Sequence, residues 1–156
     1  MAKKVLELNV DFKEQSKSGD NGSFSLQPLE RGYGTTIGNA MRRVLLTSIP
    51  GAAITHVKID GVQHEFSTID GVKEDVADII MNLKKVRFKL MDSEPDKVTL
   101  SIKGKKSFTA QDIQNASDQF EVLNPEEYIT EVNSKGKLDI ELRIGIGKGY
   151  APSEDN

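Results

Sequence analysis

The stretch RGYGTTIGNAMRRVLLTSIPG, Arg31 to Gly51, decides the fold. Three glycines, Gly32, Gly34 and Gly38, lead into helix-forming residues, and Pro50-Gly51 closes the run. The pattern predicts a helix over residues 35–49. At about 100° per residue, Ile37, Ala40, Met41, Val44, Leu45 and Ser48 share one face. Burying the four larger of these side chains would contribute about 1.5–3 kcal/mol each, so this face needs a partner surface. The opposite face carries Asn39, Arg42, Arg43 and Leu46. A leucine set among arginines has the makeup of a contact patch, an apolar anchor beside bidentate donors.

Upstream, VLELNVDF (residues 5–12) alternates apolar and polar and reads as a half-buried strand. KEQSKSGDNG reads as a polar loop, and SFSLQPL as a second strand ending at Pro28, which together predict a hairpin with a long loop. Downstream, ITHVKIDGVQHEFS predicts a hairpin turning at Asp60-Gly61. DGVKEDVADIIMNLKK has Val72, Val76, Ile79, Ile80 and Leu83 at helical spacing, with Glu74 and Asp75 in the expected first turn and Lys84 and Lys85 in the last. Strands then follow around Val86–Leu90, Val98–Ile102, QFEVL and YITEV. KLDIELRIGIG has the longest clean alternation, and DSEPDK and NSKG serve as turns. The expected class is α+β. A hairpin and helix (residues 1–51) precede a β-rich block with one helix (52–150), and the tail 151–156 reads as unfolded. Two strands and one helix bury too little to stand alone.

Three patterns raise the question of chemistry. Gly32-x-Gly34-x-x-x-Gly38, with Asp60 further on, imitates a dinucleotide-binding unit. However, the strand after the helix alternates, whereas a buried parallel strand would read as a continuous apolar run. Asp60 serves a turn, and the glycines suit tight turning and close helix packing. His56 and His64 fall on opposite faces of the predicted hairpin and cannot share a metal; His64 reads as partly buried and hydrogen-bonded. Glu74, Asp75 and Asp78 gather on the polar side of the second helix, where capping and dipole roles suffice for the first two. No catalytic constellation emerges, and no metal or cofactor is expected.

Composition narrows the field further. The chain has 156 residues, with 21 Lys+Arg against 24 Asp+Glu for a net charge of −3, so it lacks the basic footprint of a phosphate-backbone binder. It has no cysteine, which excludes disulfides, thiolate metal sites and cysteine nucleophiles. It has no tryptophan, which weakens a base-stacking role. MAKKVLELNV lacks the apolar core of a signal peptide, and no apolar run approaches the roughly 20 residues of a membrane span, so a cytoplasmic location is expected.

Across Leu26–Lys89, from LQPLERGYGTTIGNAMRRVLL to DIIMNLKKVRFK, and again in FEVLNPEEYIT and GKGYAP, the chain closely resembles the N-terminal domain of the bacterial DNA-directed RNA polymerase α subunit. The resemblance implies a non-catalytic scaffold of transcription. In the family, two α subunits dimerise and recruit the β and β′ subunits, and nucleotidyl transfer belongs to the assembled enzyme. A dimerisation subdomain is interrupted by a β-rich insert, here residues 52–150. At matching positions, Glu30, Arg31, Gly32, Arg43 and Leu46 correspond to the β-subunit interface. Lys73, Glu74, Asp75, Asp78 and Lys84 correspond to the β′ interface, and Ile37, Met41, Val44 and Leu45 to the dimer interface. Family members continue past GKGYAP to complete the dimerisation subdomain and reach a DNA-contacting domain. This chain stops at Asn156, so a truncated scaffold without direct DNA contact is expected. Two alternatives stay open: a stand-alone β-rich interaction module, and a nucleotide-binding enzyme using Gly32–Gly38.

Overall fold

A computed structural model describes residues 10–19, 21–90, 96–104 and 106–155. It is mixed α+β and divides into two compact units, residues 1–46 and 47–156.

In the first unit, β1 (Asp11–Ser18) and β2 (Asn21–Gln27) form an antiparallel hairpin, with Phe12 opposite Leu26 and Glu14 opposite Phe24. The strand expected over residues 5–12 lies largely outside the described residues. KEQSKS is strand rather than loop, and the connection is two residues instead of a long excursion. Both faces of this segment are polar, so hydrogen bonding to β2 holds it, and apolar alternation gives no sign of it. The Phe12 and Phe24 rings stack at 5.3 Å between centroids. Helix α1 (Tyr33–Thr47) follows, two residues earlier than expected at each end.

The second unit is built on a five-stranded antiparallel sheet in the order β5-β9-β3-β4-β7. Its members are β3 (Pro50–Ile59), β4 (Phe88–Leu90), β5 (Asp96–Lys103), β7 (Phe120–Val122) and β9 (Lys137–Lys148). The long alternation of β9 buries Leu138, Ile140, Leu142 and Ile144 and turns Asp139, Glu141 and Arg143 outward. Val98 and Val57 flank Leu142 from the two neighbouring strands.

The expected Asp60-Gly61 hairpin does not form. β3 pairs with β9 along its length, and residues 62–67 run in turns instead of a second strand. Partner choice explains the outcome. β9 offers Ile140, Leu142 and Ile144 opposite Ile59, Val57 and Ile54, a longer apolar match than Val62, His64 and Phe66. The Asp60 amide itself donates to the Asp139 carbonyl at 3.0 Å. The histidine register derived from that hairpin therefore falls. Both imidazoles are exposed and locally bonded, His56 to the Thr55 hydroxyl at 3.0 Å and His64 to the Ser67 hydroxyl at 3.2 Å.

Helix α2 (Val76–Leu83) is half the expected length. A second, short helix α3 (Ala110–Gln114) and strand β6 (Lys106–Thr109) also occur, where only one helix was expected. β6 pairs with β8 (Tyr128–Val132) in a separate two-stranded ladder, against which α2 packs. Ile79, Phe108, Ile113, Ile129 and Val132 join the sheet residues in one apolar core. Residues 153–155 form a 3-10 turn where an unfolded tail was expected. Two glycines are indispensable to the packing. Gly71 has φ +81°, and a Cβ on Gly136 would meet the Gly71 carbonyl oxygen at 2.3 Å. That approach fixes the 69–73 turn against the β8–β9 connection.

Candidate functional site

The first group of candidate residues sits on α1. Gly32, at φ +93°, makes the turn that starts the helix, and the Tyr33 amide donates to the Glu30 carbonyl at 3.1 Å. Arg42, Arg43, Ala40 and the leucines favour the helix that follows, and Pro50 cannot continue it. No residue of α1 is buried. Met41 is 43% exposed, Val44 55%, Leu45 59% and Leu46 62%. Ile37 is half-buried, and Glu30, Arg31 and Arg43 are exposed. The two faces separated by periodicity are thus both largely exposed.

Gly38 lies inside the helix, where its amide can bond to a carbonyl four residues back, while Gly34 falls in the first turn. Among the described residues a Cβ at either would meet nothing within 4 Å, so the close packing expected of them is not seen there.

The second group lies around the start of α2. Asp75 is the N-cap, its carboxylate accepting from the Asp78 amide at 2.8 Å. Asp78 occupies the first turn and Lys84 is the C-cap; both are exposed. Glu74 stands outside the helix and turns inward to β8. Its carboxylate accepts from the Tyr128 hydroxyl at 2.8 Å, the Thr130 hydroxyl at 2.7 Å and the Glu131 amide at 3.1 Å. Lys73 Nζ lies 3.9 Å from both Glu74 and Glu131. Thr130 is fully buried and the Glu74 side chain is only 15% exposed.

Burial pushes the Glu74 carboxyl up. The three hydrogen bonds and the Lys73 charge outweigh it and hold the group below the ordinary carboxylate value. Burial and the Glu74 carboxylate together push the Tyr128 phenol up to about 12. This clamp ties the 71–75 turn to β8; Lys73, Asp78 and Lys84 are exposed. The sequence carries no local sign of it, because Glu74 and its partners are more than 50 residues apart.

Among the described residues, no three His, Asp or Glu side chains gather to hold a metal ion. No helix among them is long and apolar enough to cross a membrane.

The family profile described as the RNA polymerase Rpb3/RpoA insert domain matches residues 57–156. The DNA-directed RNA polymerase subunit alpha of Chloroherpeton thalassium is 56% identical over 149 residues, covering 96% of this chain and 45% of that protein. The corresponding subunit of Chlorobaculum tepidum is 55% identical over 147 residues, covering 94% and 45%. That of Salinibacter ruber is 49% identical over 156 residues, covering 100% and 48%. The chain spans about half the length of the curated relatives it matches. An exposed amphipathic helix and a well-packed β-rich unit agree with these likenesses, and the chain belongs to the RNA polymerase α-subunit family.

Proposed function

We propose that this chain is an assembly scaffold of a cytoplasmic DNA-directed RNA polymerase and that it supplies surfaces, while nucleotidyl transfer belongs to the complex. Residues 1–51 begin the dimerisation part and residues 52–150 form the insert. Ile37, Met41, Val44 and Leu45 pair with a second α subunit. Glu30, Arg31, Gly32, Arg43 and Leu46 dock the β subunit. The outward residues around α2, Lys73, Asp75, Asp78 and Lys84, meet β′, with Glu74 holding their backbone in place.

The observation that carries this reading is α1 itself. A 15-residue amphipathic helix with none of its residues buried is an interface awaiting partners. Leu46 supplies the apolar anchor and Arg43 the planar donors that such interfaces favour.

The test is co-expression with an affinity-tagged β subunit, using the chain alone and continued to the length of its relatives. Leu46→Asp or Arg43→Ala in the continued chain is expected to abolish co-purification while leaving the melting of the insert unchanged. Undiminished recovery of both variants would overturn the β assignment. Failure of even the parent chain to bind β would favour a stand-alone interaction module.

A further inference from the structure

An open cleft of about 750 Å³ lies wholly within the second unit, in the size range of ligand sites. Its floor is the start of β3, Gly51, Ala52 and Ala53, and one wall is the α2–β4 connection, Lys84 to Phe88. The other wall is the segment after β7, with Leu123, Asn124 and Glu127. That second wall is firmly built. The Asn124 side chain accepts from the Arg87 amide at 2.8 Å and donates to the Lys85 carbonyl at 3.0 Å, and the Leu123 amide donates to the Arg87 carbonyl at 2.9 Å.

The charge here runs against that of the chain. Lys84, Lys85 and Arg87 face a single carboxylate, Glu127, in a protein of net charge −3. Among the described residues neither Lys84 nor Arg87 has an ion-pair partner, and the Lys85 ammonium donates to the Asn82 side-chain amide oxygen at 3.0 Å. The floor consists of small residues, and a Cβ on Gly51 would meet nothing within 4 Å, so a main chain can approach closely. Leu123 stands 55% exposed at the rim as an apolar contact.

The geometry points to a docking cleft for an extended acidic peptide segment of a partner protein, its carboxylates on Lys84 and Arg87 and an apolar residue against Leu123. Arginine takes a carboxylate in two parallel bonds, which fixes direction as well as charge. The assembly reading bears only on which protein supplies the segment; the cleft chemistry is tested without any polymerase subunit.

The probe is a fluorescein-labelled Asp-Glu-Leu-Glu-Asp peptide, read by anisotropy on this chain at about 0.05 and 0.15 M salt. Saturable binding that weakens with salt is expected, with at least a roughly tenfold loss in Lys84→Glu and in Arg87→Glu. Lys103→Glu, outside the cleft, should bind as the parent does. Thermal melts of the three variants establish that each is folded, and Arg87→Lys should recover part of the affinity. The Asn-Gln-Leu-Gln-Asn analogue should not compete. Equal binding by the Lys84→Glu and Arg87→Glu variants, no binding by the parent, or equally strong competition by tripolyphosphate would overturn the proposal. The last result would mark a generic polyanion site.

Discussion

The two units of this chain use similar sequence patterns to opposite effect. In residues 47–156 every long apolar alternation meets a complementary one, and every buried apolar side chain among the described residues lies between Ile59 and Ile144. In residues 1–46 the patterns are equally clear, with Phe12, Phe24 and Leu26 on the hairpin and Met41, Val44 and Leu45 on the helix, yet none of the described residues there is buried. Amphipathicity specifies that a face will be covered without specifying by what. In residues 47–156 the cover is intramolecular; in the first unit the apolar side chains of α1 stay largely exposed.

The sharpest way to break that contrast is to make one kind of truncation in both places. Leu142→Ala removes a fully buried side chain flanked by Val98 and Val57, and should cost about 2–5 kcal/mol in urea unfolding at pH 7. Leu45→Ala removes a side chain that is already 59% exposed, and should change the stability of the dilute chain by about 0.5 kcal/mol or less. A large effect of Leu45→Ala in a dilute monomer would mean that the helix has a cover within the chain, and the contrast would collapse.

Glu74 tests the polar side of the same contrast. Glu74→Ala leaves the buried Thr130 hydroxyl and the Glu131 amide without their acceptor, and should cost about 1–3 kcal/mol. The pH dependence follows from the direction of the shifts. The folded Glu74 carboxyl titrates below its ordinary value of 4.5, so its contribution is present above that pH and is lost as the pH falls through the folded value. Tyr128 titrates above its ordinary value of 10, so its contribution is complete below pH 10 and is lost as the pH rises towards about 12. Unfolding followed from pH 3 to 11 should therefore weaken at both ends. Glu74→Gln should flatten the acid limb, and Tyr128→Phe the alkaline one. An acid limb unchanged in Glu74→Gln would show that other carboxylates carry it.

The same division between local and distant causes decides what could be read from the sequence. α1 and β9 were legible because each declares itself within its own residues: a helical spacing closed by Pro50, and five alternating apolar residues from Leu138 to Ile146. The turn at Asp60-Gly61 was legible, but its consequence was not. A turn permits a hairpin; only the distant β9 shows that a better partner exists. The KEQSKS part of β1, residues 13–18, was hidden because both its faces are polar. α3 carried a usable sign, Thr109 followed three residues later by Asp112, whose carboxylate accepts from the Thr109 amide at 3.1 Å. Of the candidate site, the composition of the α1 face was readable and its exposure was not. Glu74 was readable only as a charge, because its hydroxyl partners come from β8.

The smallest expected effect bears on the exposed ionic contacts. Lys89 and Glu121 lie directly opposite on β4 and β7, 3.5 Å apart, with side chains 64% and 52% exposed. Holding two long side chains in one geometry costs rotamer entropy, and water and salt weaken the attraction, so the pair should contribute about 0.5 kcal/mol or less. Lys89→Ala, Glu121→Ala and the double variant form a cycle that isolates this coupling from other losses. Glu74 and Glu121 are both carboxylates paired with lysine, and they differ chiefly in burial and in hydrogen bonds from the protein. If the Lys89–Glu121 coupling exceeded about 1 kcal/mol and persisted at high salt, that difference would not be what separates strong from weak contacts here. The β4–β7 edge, beside the proposed peptide cleft, would then have to be far less solvated than the open flank of a sheet.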